Sequence, residues 1–154
     1  MSDNFEVLEV DPRPVLAIRV RTAFEGIPQK LRESYGAIGH YLGELGEAMI
    51  SAPYTAYYNM DMQDLDMEVG LQVSRELPGR SQIQAGHIPG GKAASAIHTG
   101  PYRAMEPTYQ ALAEWMAKNG LEPTGVAYDF YIDDPAEVSQ KEIWTQIYFP
   151  LKAT

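Results

Sequence analysis

The order of apolar patterns predicts an α+β fold: a ββαββ unit occurring twice, giving an eight-stranded antiparallel sheet with two long helices on one face. Three observations carry the prediction. YTAYYNM at 54–60 and YDFYIDD at 128–134 each open with Tyr and repeat it three places later, so Tyr54 and Tyr57 answer Tyr128 and Tyr131 at a spacing of 74. Each run precedes a strand-like segment, DMEVGLQV from Asp66 and EIWTQIYF from Glu142. Each follows a stretch of helical period, itself preceded by a run such as VLAIRV or AASAIH. A duplicated unit makes the molecule pseudo-symmetric and places a central cleft between its halves.

The elements follow in order. Phe5–Val10 and Pro14–Arg21 read as strands joined at Asp11-Pro12-Arg13. From Pro28 to Ile50, Leu31, Tyr35, Ile38, Leu42, Leu45 and Met49 fall on one helical face, and Pro28 suits the first turn. Gly36, Gly39, Gly43 and Gly46 form a second strip on that helix. It is either a tolerated weakness or a smooth surface for another helix, a partner subunit or a ligand. Strands Tyr54–Met60 and Asp66–Val73 come next, then the loop RELPGRS. The second half repeats the order: strand Gln82–His87, turn IPGG, strand Lys92–Thr99, helix Ala104–Asn119, and strands Val126–Ile132 and Glu142–Phe149. Asn119-Gly120 supplies the left-handed exit that a helix C-terminus favours.

At 154 residues the chain is expected to form one domain, with repeat halves at about 4–75 and 82–150. With no cysteine, disulfides and thiolate metal sites are excluded. The N-terminus MSDNFEVLEV lacks the pattern of a secretory signal, and no apolar run approaches the ~18 residues of a membrane span, so a cytoplasmic location is expected. A net charge of −9 opposes a phosphate-backbone partner and concentrates cations, which suits a cationic organic ligand. Few residues flank the first and last strands, so no helix-turn-helix and no direct nucleic-acid contact are expected.

Strand alternation places Met67, Val69, Leu71 and Val73 toward the helices and leaves Asp66, Glu68, Gly70 and Gln72 opposite. In the last strand Ile143, Thr145, Ile147 and Phe149 alternate with Glu142, Trp144, Gln146 and Tyr148. Glu68 is thereby the counterpart of Gln146 at a spacing of 78. Two large aromatics around an amide on an outward face suit a pocket for a flat or cationic molecule; cross-strand pairing is their other use. His98 alternates with Ala94 and Ala96 and reads as a pocket residue. His40, Glu44 and Glu47 lie away from the apolar stripe and read as a solvated face, not a metal site. No metal or cofactor is expected.

The ββαββ order repeated, PGGKAASAIHTGPY before a helix, LEPTGVAYDFYIDDP and the terminal TQIYFPL together resemble the GyrI-like small-molecule-binding domain, over roughly Phe5 to Leu151. That module also forms the effector-binding part of AraC-type and MerR-type transcription regulators. The resemblance implies binding of bulky, often cationic or aromatic compounds, a multidrug-type breadth, and in many members a last-strand glutamate that reaches into the cleft. Some members are described as hydrolases of cyclopropane-bearing toxins. Gln146 stands where that glutamate would be, and an amide serves neither as general base nor as full charge partner.

The expected function is therefore that of a stand-alone binding module, a sensor or sequestering protein for a hydrophobic or aromatic, cation-compatible small molecule. Tyr57, Tyr131, Trp144 and Tyr148 are the expected aromatic walls, and Glu68, Tyr102 and Gln146 the polar contacts. Two alternatives stay open. One is hydrolysis of a strained electrophile using Glu68 or Glu142 with Trp144; the other is a protein–protein module, with a partner or a second copy on the outward face or the glycine strip.

Overall fold

A computed structural model describes residues 5–101, 104–133 and 138–152. Among the described residues eight strands and two α-helices follow one another: β1 Glu6–Val10, β2 Arg13–Thr22, α1 Ile27–Leu45, β3 Tyr54–Tyr57, β4 Leu65–Gln72, β5 Gln84–Ile88, β6 Gly91–Thr99, α2 Glu106–Lys118, β7 Ala127–Tyr131 and β8 Trp144–Pro150. The β1–β6, β6–β8, β7–β8, β2–β4, β2–β5 and β3–β4 pairings are antiparallel. The α+β class, strand count and helix count are those the sequence predicts.

The strands gather into two compact units whose boundaries differ from the sequence halves. One holds residues up to Asp11 together with those from Gly90 onward, and the other holds Pro12–Pro89. The reason lies in the pairing. Neither Asp11-Pro12 nor Pro89-Gly90-Gly91 closes a hairpin, because β1 pairs with β6 and β5 pairs with β2. The first unit runs β1-β6-β8-β7 and the second runs β5-β2-β4-β3.

Register gives the two units equivalent pairings. In the second unit Ala17 faces Gly70, Arg19 faces Glu68, Gln84 faces Ala17, and Tyr54 faces Gly70. In the first, Ser95 faces Tyr148, Ile97 faces Gln146, Glu6 faces Ser95, and Tyr128 faces Tyr148. Each pair is reproduced at the spacings of 78 and 74 read from the sequence.

Each helix buries its stripe on its own unit's strands. Ile38, Tyr41 and Leu42 of α1 pack with Leu16, Ile18, Leu71 and Val73. Leu112 and Met116 of α2 pack with Ala94, Ala96 and Ile147. Ile38 and Leu112, equivalent in the repeat, are both wholly buried. Burying such a side chain contributes about 1.5–3 kcal/mol. α1 stops at Leu45, short of the predicted Ile50, because Gly46 takes a left-handed φ of 71° and its N–H turns back to the carbonyls of Gly43 and Leu42. Met49 thus leaves the apolar stripe and lies about half exposed. No helix among the described residues is long and apolar enough to cross a membrane.

Candidate functional site

Cross-strand partners share a face, so register assigns every candidate side chain. In the first unit Ile147 and Ala96 belong to the α2 core, which leaves Trp144, Gln146 and Tyr148 on the opposite face of β8, as the alternation predicts. Tyr128 and Phe130 of β7 face Tyr148 and Gln146, and join them. The three rings form one cluster: Tyr128 and Phe130 stack at 6.0 Å, and Tyr148 meets them edge-on at 6.0 and 5.4 Å. Trp144 is 50% exposed, and its backbone N–H donates to Asp133 Oδ2 at 2.8 Å. Gln146 Nε2 donates to Ser95 Oγ at 3.0 Å across the same face.

The other first-unit candidates lie elsewhere. His98 faces Thr145 on the helix side; its Nδ1 lies 2.9 Å from Thr108 Oγ1 on α2 and its Nε2 lies 3.0 Å from the Pro101 carbonyl. Both ring nitrogens are thus engaged by the protein. Tyr131 also faces Thr145, away from Gln146. Glu142 is not on β8 at all. It ends the 3-10 turn Gln140–Glu142, where it is exposed and accepts from Ser139 Oγ at 3.1 Å, so it does not continue the alternation of β8. Tyr102 lies outside the described residues.

In the second unit Glu68 sits on the β4 face opposite α1. Its carboxylate accepts from two phenols, Tyr54 Oη at 2.5 Å and Tyr58 Oη at 2.9 Å. The Tyr54 ring reaches Glu68 by crossing residue 70, where a Cβ would lie 2.6 Å from three of its atoms; only glycine leaves that path open. The Arg19 guanidinium lies 3.8 Å above the Tyr58 ring centre and forks onto Asp66 at 2.7 and 2.9 Å. Burial, with Glu68 beside it, pushes the Tyr58 phenol up to about 12, so it remains a donor across the physiological range. Arg19 and Glu68 line a partly open pocket of about 160 Å³ with Val15, Ala17, Gln84 and His87. Tyr57 faces Met67 and so lies on the helix side, away from Glu68.

Structure adds Tyr54, Tyr58 and Arg19 around Glu68, and Tyr128 and Phe130 around Gln146. The signal for Tyr54 was present in the sequence: residues three apart on a strand point to opposite faces, so Tyr54 and Tyr57 cannot both line one. Arg19 and Tyr58 become neighbours of Glu68 only through the β2–β4 register and the turn after β3.

An antiparallel scaffold that displays aromatic rings around a carboxylate in one unit and around an amide in the other has the chemistry of a small-molecule-binding domain. The family model described as GyrI-like small molecule binding domain matches residues 3–152, and the chain belongs to that family. No curated protein matches it. Among solved structures the chain resembles EcmrR in its complex with DNA and RPo, with a TM-score of 0.85 and 23% identity over 98% of this chain. It spans 58% of that EcmrR chain. The isolated EcmrR C-terminal domain gives a TM-score of 0.75 at 20% identity, covering 98% of both chains. SAV2435 bound to tetraphenylphosphonium gives 0.70 at 7% identity, over 98% of this chain and 95% of that one.

Proposed function

We propose that the protein binds an aromatic or lipophilic organic cation and acts as a cytoplasmic sensor or sequestering module for it. The carrying observation is Glu68, a carboxylate oriented by two tyrosine hydroxyls at the rim of a pocket. A cation near it gains a fixed charge partner whose geometry is set before binding. The net charge of −9 raises the local cation concentration in the same direction. SAV2435, a structural neighbour, was solved with tetraphenylphosphonium bound, which supports the ligand class. EcmrR, solved in complex with DNA and also as its C-terminal domain, shares this fold, which supports a sensor role beside a DNA-binding partner. In the other unit, the face bearing Trp144, Gln146 and Tyr148 is rich in aromatic rings and offers a separate surface for flat apolar groups.

Calorimetric titration with tetraphenylphosphonium tests the reading. Binding weakened about tenfold or more in Glu68→Gln is expected, since a charged partner is replaced by a neutral one. Quenching of Trp144 fluorescence, read in a Trp115→Phe background, reports separately on the aromatic face. Equal affinity of wild type and Glu68→Gln would refute the assignment of Glu68.

A further inference from the structure

Arg19 and Glu68 stand directly opposite each other in the β2–β4 register, the arrangement in which opposite charges ordinarily pair. Here each is held by another group. Arg19 gives Nε–H and one Nη2–H to Asp66, at 2.7 and 2.9 Å, and its plane rests on the Tyr58 ring. Glu68 receives the Tyr54 and Tyr58 hydroxyls, one on each oxygen. Both side chains line the same pocket, together with the Gln84 amide. Two separately anchored charges of opposite sign therefore border one space of about 160 Å³, large enough for a single-ring molecule. A guanidinium carries five N–H donors, and the fork onto Asp66 uses two, so donors remain for a second carboxylate. In the repeat frame the corresponding residues of the other unit are Ile97 and Gln146, which carry no charge.

We propose that this pocket recognises an amphoteric ligand, with the cationic group at Glu68 and a carboxylate at Arg19, and that Arg19 is the residue that selects it over a simple cation. The inference rests on the cation reading of Glu68 and adds the second half of the ligand. A ligand lacking the carboxylate brings its positive charge near the guanidinium with only Asp66 to offset it, while a ligand carrying one adds a charge-assisted hydrogen bond. The fork onto Asp66 holds the guanidinium at the pocket wall, so little side-chain freedom is lost on binding.

The test compares L-phenylalanine, a single-ring zwitterion, with its methyl ester, which keeps the ammonium and lacks the carboxylate. Calorimetry on the wild type is expected to show the free amino acid binding about tenfold or more tightly than the ester, the scale of one charged hydrogen bond. In the double variant Arg19→Met/Asp66→Asn, which removes the ion pair without changing net charge, the ratio is expected to fall to about one. Arg19 and Asp66 are both solvent-accessible, and a thermal melt confirms that the variant folds; Arg19→Lys, which keeps the charge and loses the fork, is expected to give an intermediate ratio. Equal affinity for the two probes in the wild type, or a preference that survives the double variant, overturns the inference. So does tetraphenylphosphonium binding that depends on Glu68 with no binding of phenylalanine, which leaves the cation reading standing. Failure of all three probes to bind overturns both.

Discussion

Replacing Gly70 with alanine sets a methyl group inside the space of the Tyr54 ring. The added Cβ would lie 2.6 Å from Cε1, Cζ and the hydroxyl oxygen of Tyr54, against a comfortable separation of about 3.5–4.0 Å. The ring must therefore lift by roughly 1 Å. It has little freedom to do so: Tyr54 is wholly buried, its backbone is paired to β4, and its carbonyl accepts the Tyr35 hydroxyl at 2.8 Å. Overpacking of this kind costs about 1–3 kcal/mol. Displacing the Tyr54 hydroxyl from Glu68 costs about 1 kcal/mol more, since water reaches the half-buried carboxylate and replaces part of the bond. The expected loss is about 2–4 kcal/mol, or a melting point lowered by about 5–15 °C for a chain of this length. Denaturant unfolding followed by far-UV circular dichroism measures it. The clash disappears when the ring does, so Gly70→Ala in a Tyr54→Leu background should cost at least 1 kcal/mol less than in the wild type, by the order expected of contacting residues. Strictly additive losses, or a Gly70→Ala protein as stable as the wild type, would refute the argument that glycine is required for the tyrosine to reach Glu68.

Asp129 is buried between β7 and α2, where burial raises its pKa from the ordinary 3.8 to about 7 and the Tyr109 hydroxyl, at 2.6 and 2.5 Å from the two oxygens, partly opposes the shift. Because the folded chain holds this proton more tightly than the unfolded chain, stability falls as pH rises from about 4 to about 7 and levels off above. Asp129→Asn should therefore gain on the wild type over that window, by up to about 4 kcal/mol, in unfolding midpoints taken at pH 5 and pH 8. His98→Leu removes partners from Thr108 and the Pro101 carbonyl; it should cost about 1–3 kcal/mol in chemical denaturation and leave tetraphenylphosphonium affinity unchanged. A Cβ at Gly36 or Gly39 of α1 meets no atom within 4 Å, so Gly36→Ala and Gly39→Ala should each raise stability by about 0.5–1 kcal/mol; a loss at either position would show that the strip is occupied in solution.

Much of the architecture was legible because it is written in short-range periods. The 4-3-4 spacing placed Ile38, Leu42, Leu112 and Met116 on the cores they occupy, and the period of two put Trp144, Gln146 and Tyr148 on one face. Less legible was anything decided by pairing over long separations. Nothing local distinguishes β1 paired to its neighbour β2 from β1 paired to β6, more than eighty residues away. The placement of Glu142 failed for another reason. Alternation carried backward from Trp144 assumes the strand continues, whereas the chain turns at Gln140–Glu142 before β8 begins. Tyr57 and Tyr131 were drawn to the site by their matching spacing, but the odd step from Tyr54 and Tyr128 sends them to the helix side.

One register carries two chemistries, and residue 70 against residue 148 explains how. With glycine at 70, the Tyr54 ring passes across β4 and its hydroxyl meets the carboxylate of Glu68. With tyrosine at 148, the same passage is filled, so Tyr128 packs edge-on against Tyr148 and parallel to Phe130. The first arrangement orients a charge; the second builds an aromatic surface over an amide that is bonded to Ser95. A general base must take a proton from water; each oxygen of Glu68 already accepts one phenolic O–H, which stabilises the carboxylate, and Tyr58 keeps its proton up to about 12. Gln146 has no basic oxygen to offer. Bonded in this way, Glu68 favours holding a cation over abstracting a proton. The residue that would shift the balance is Tyr58: Tyr58→Phe frees one carboxylate oxygen while leaving Arg19 a ring to rest on.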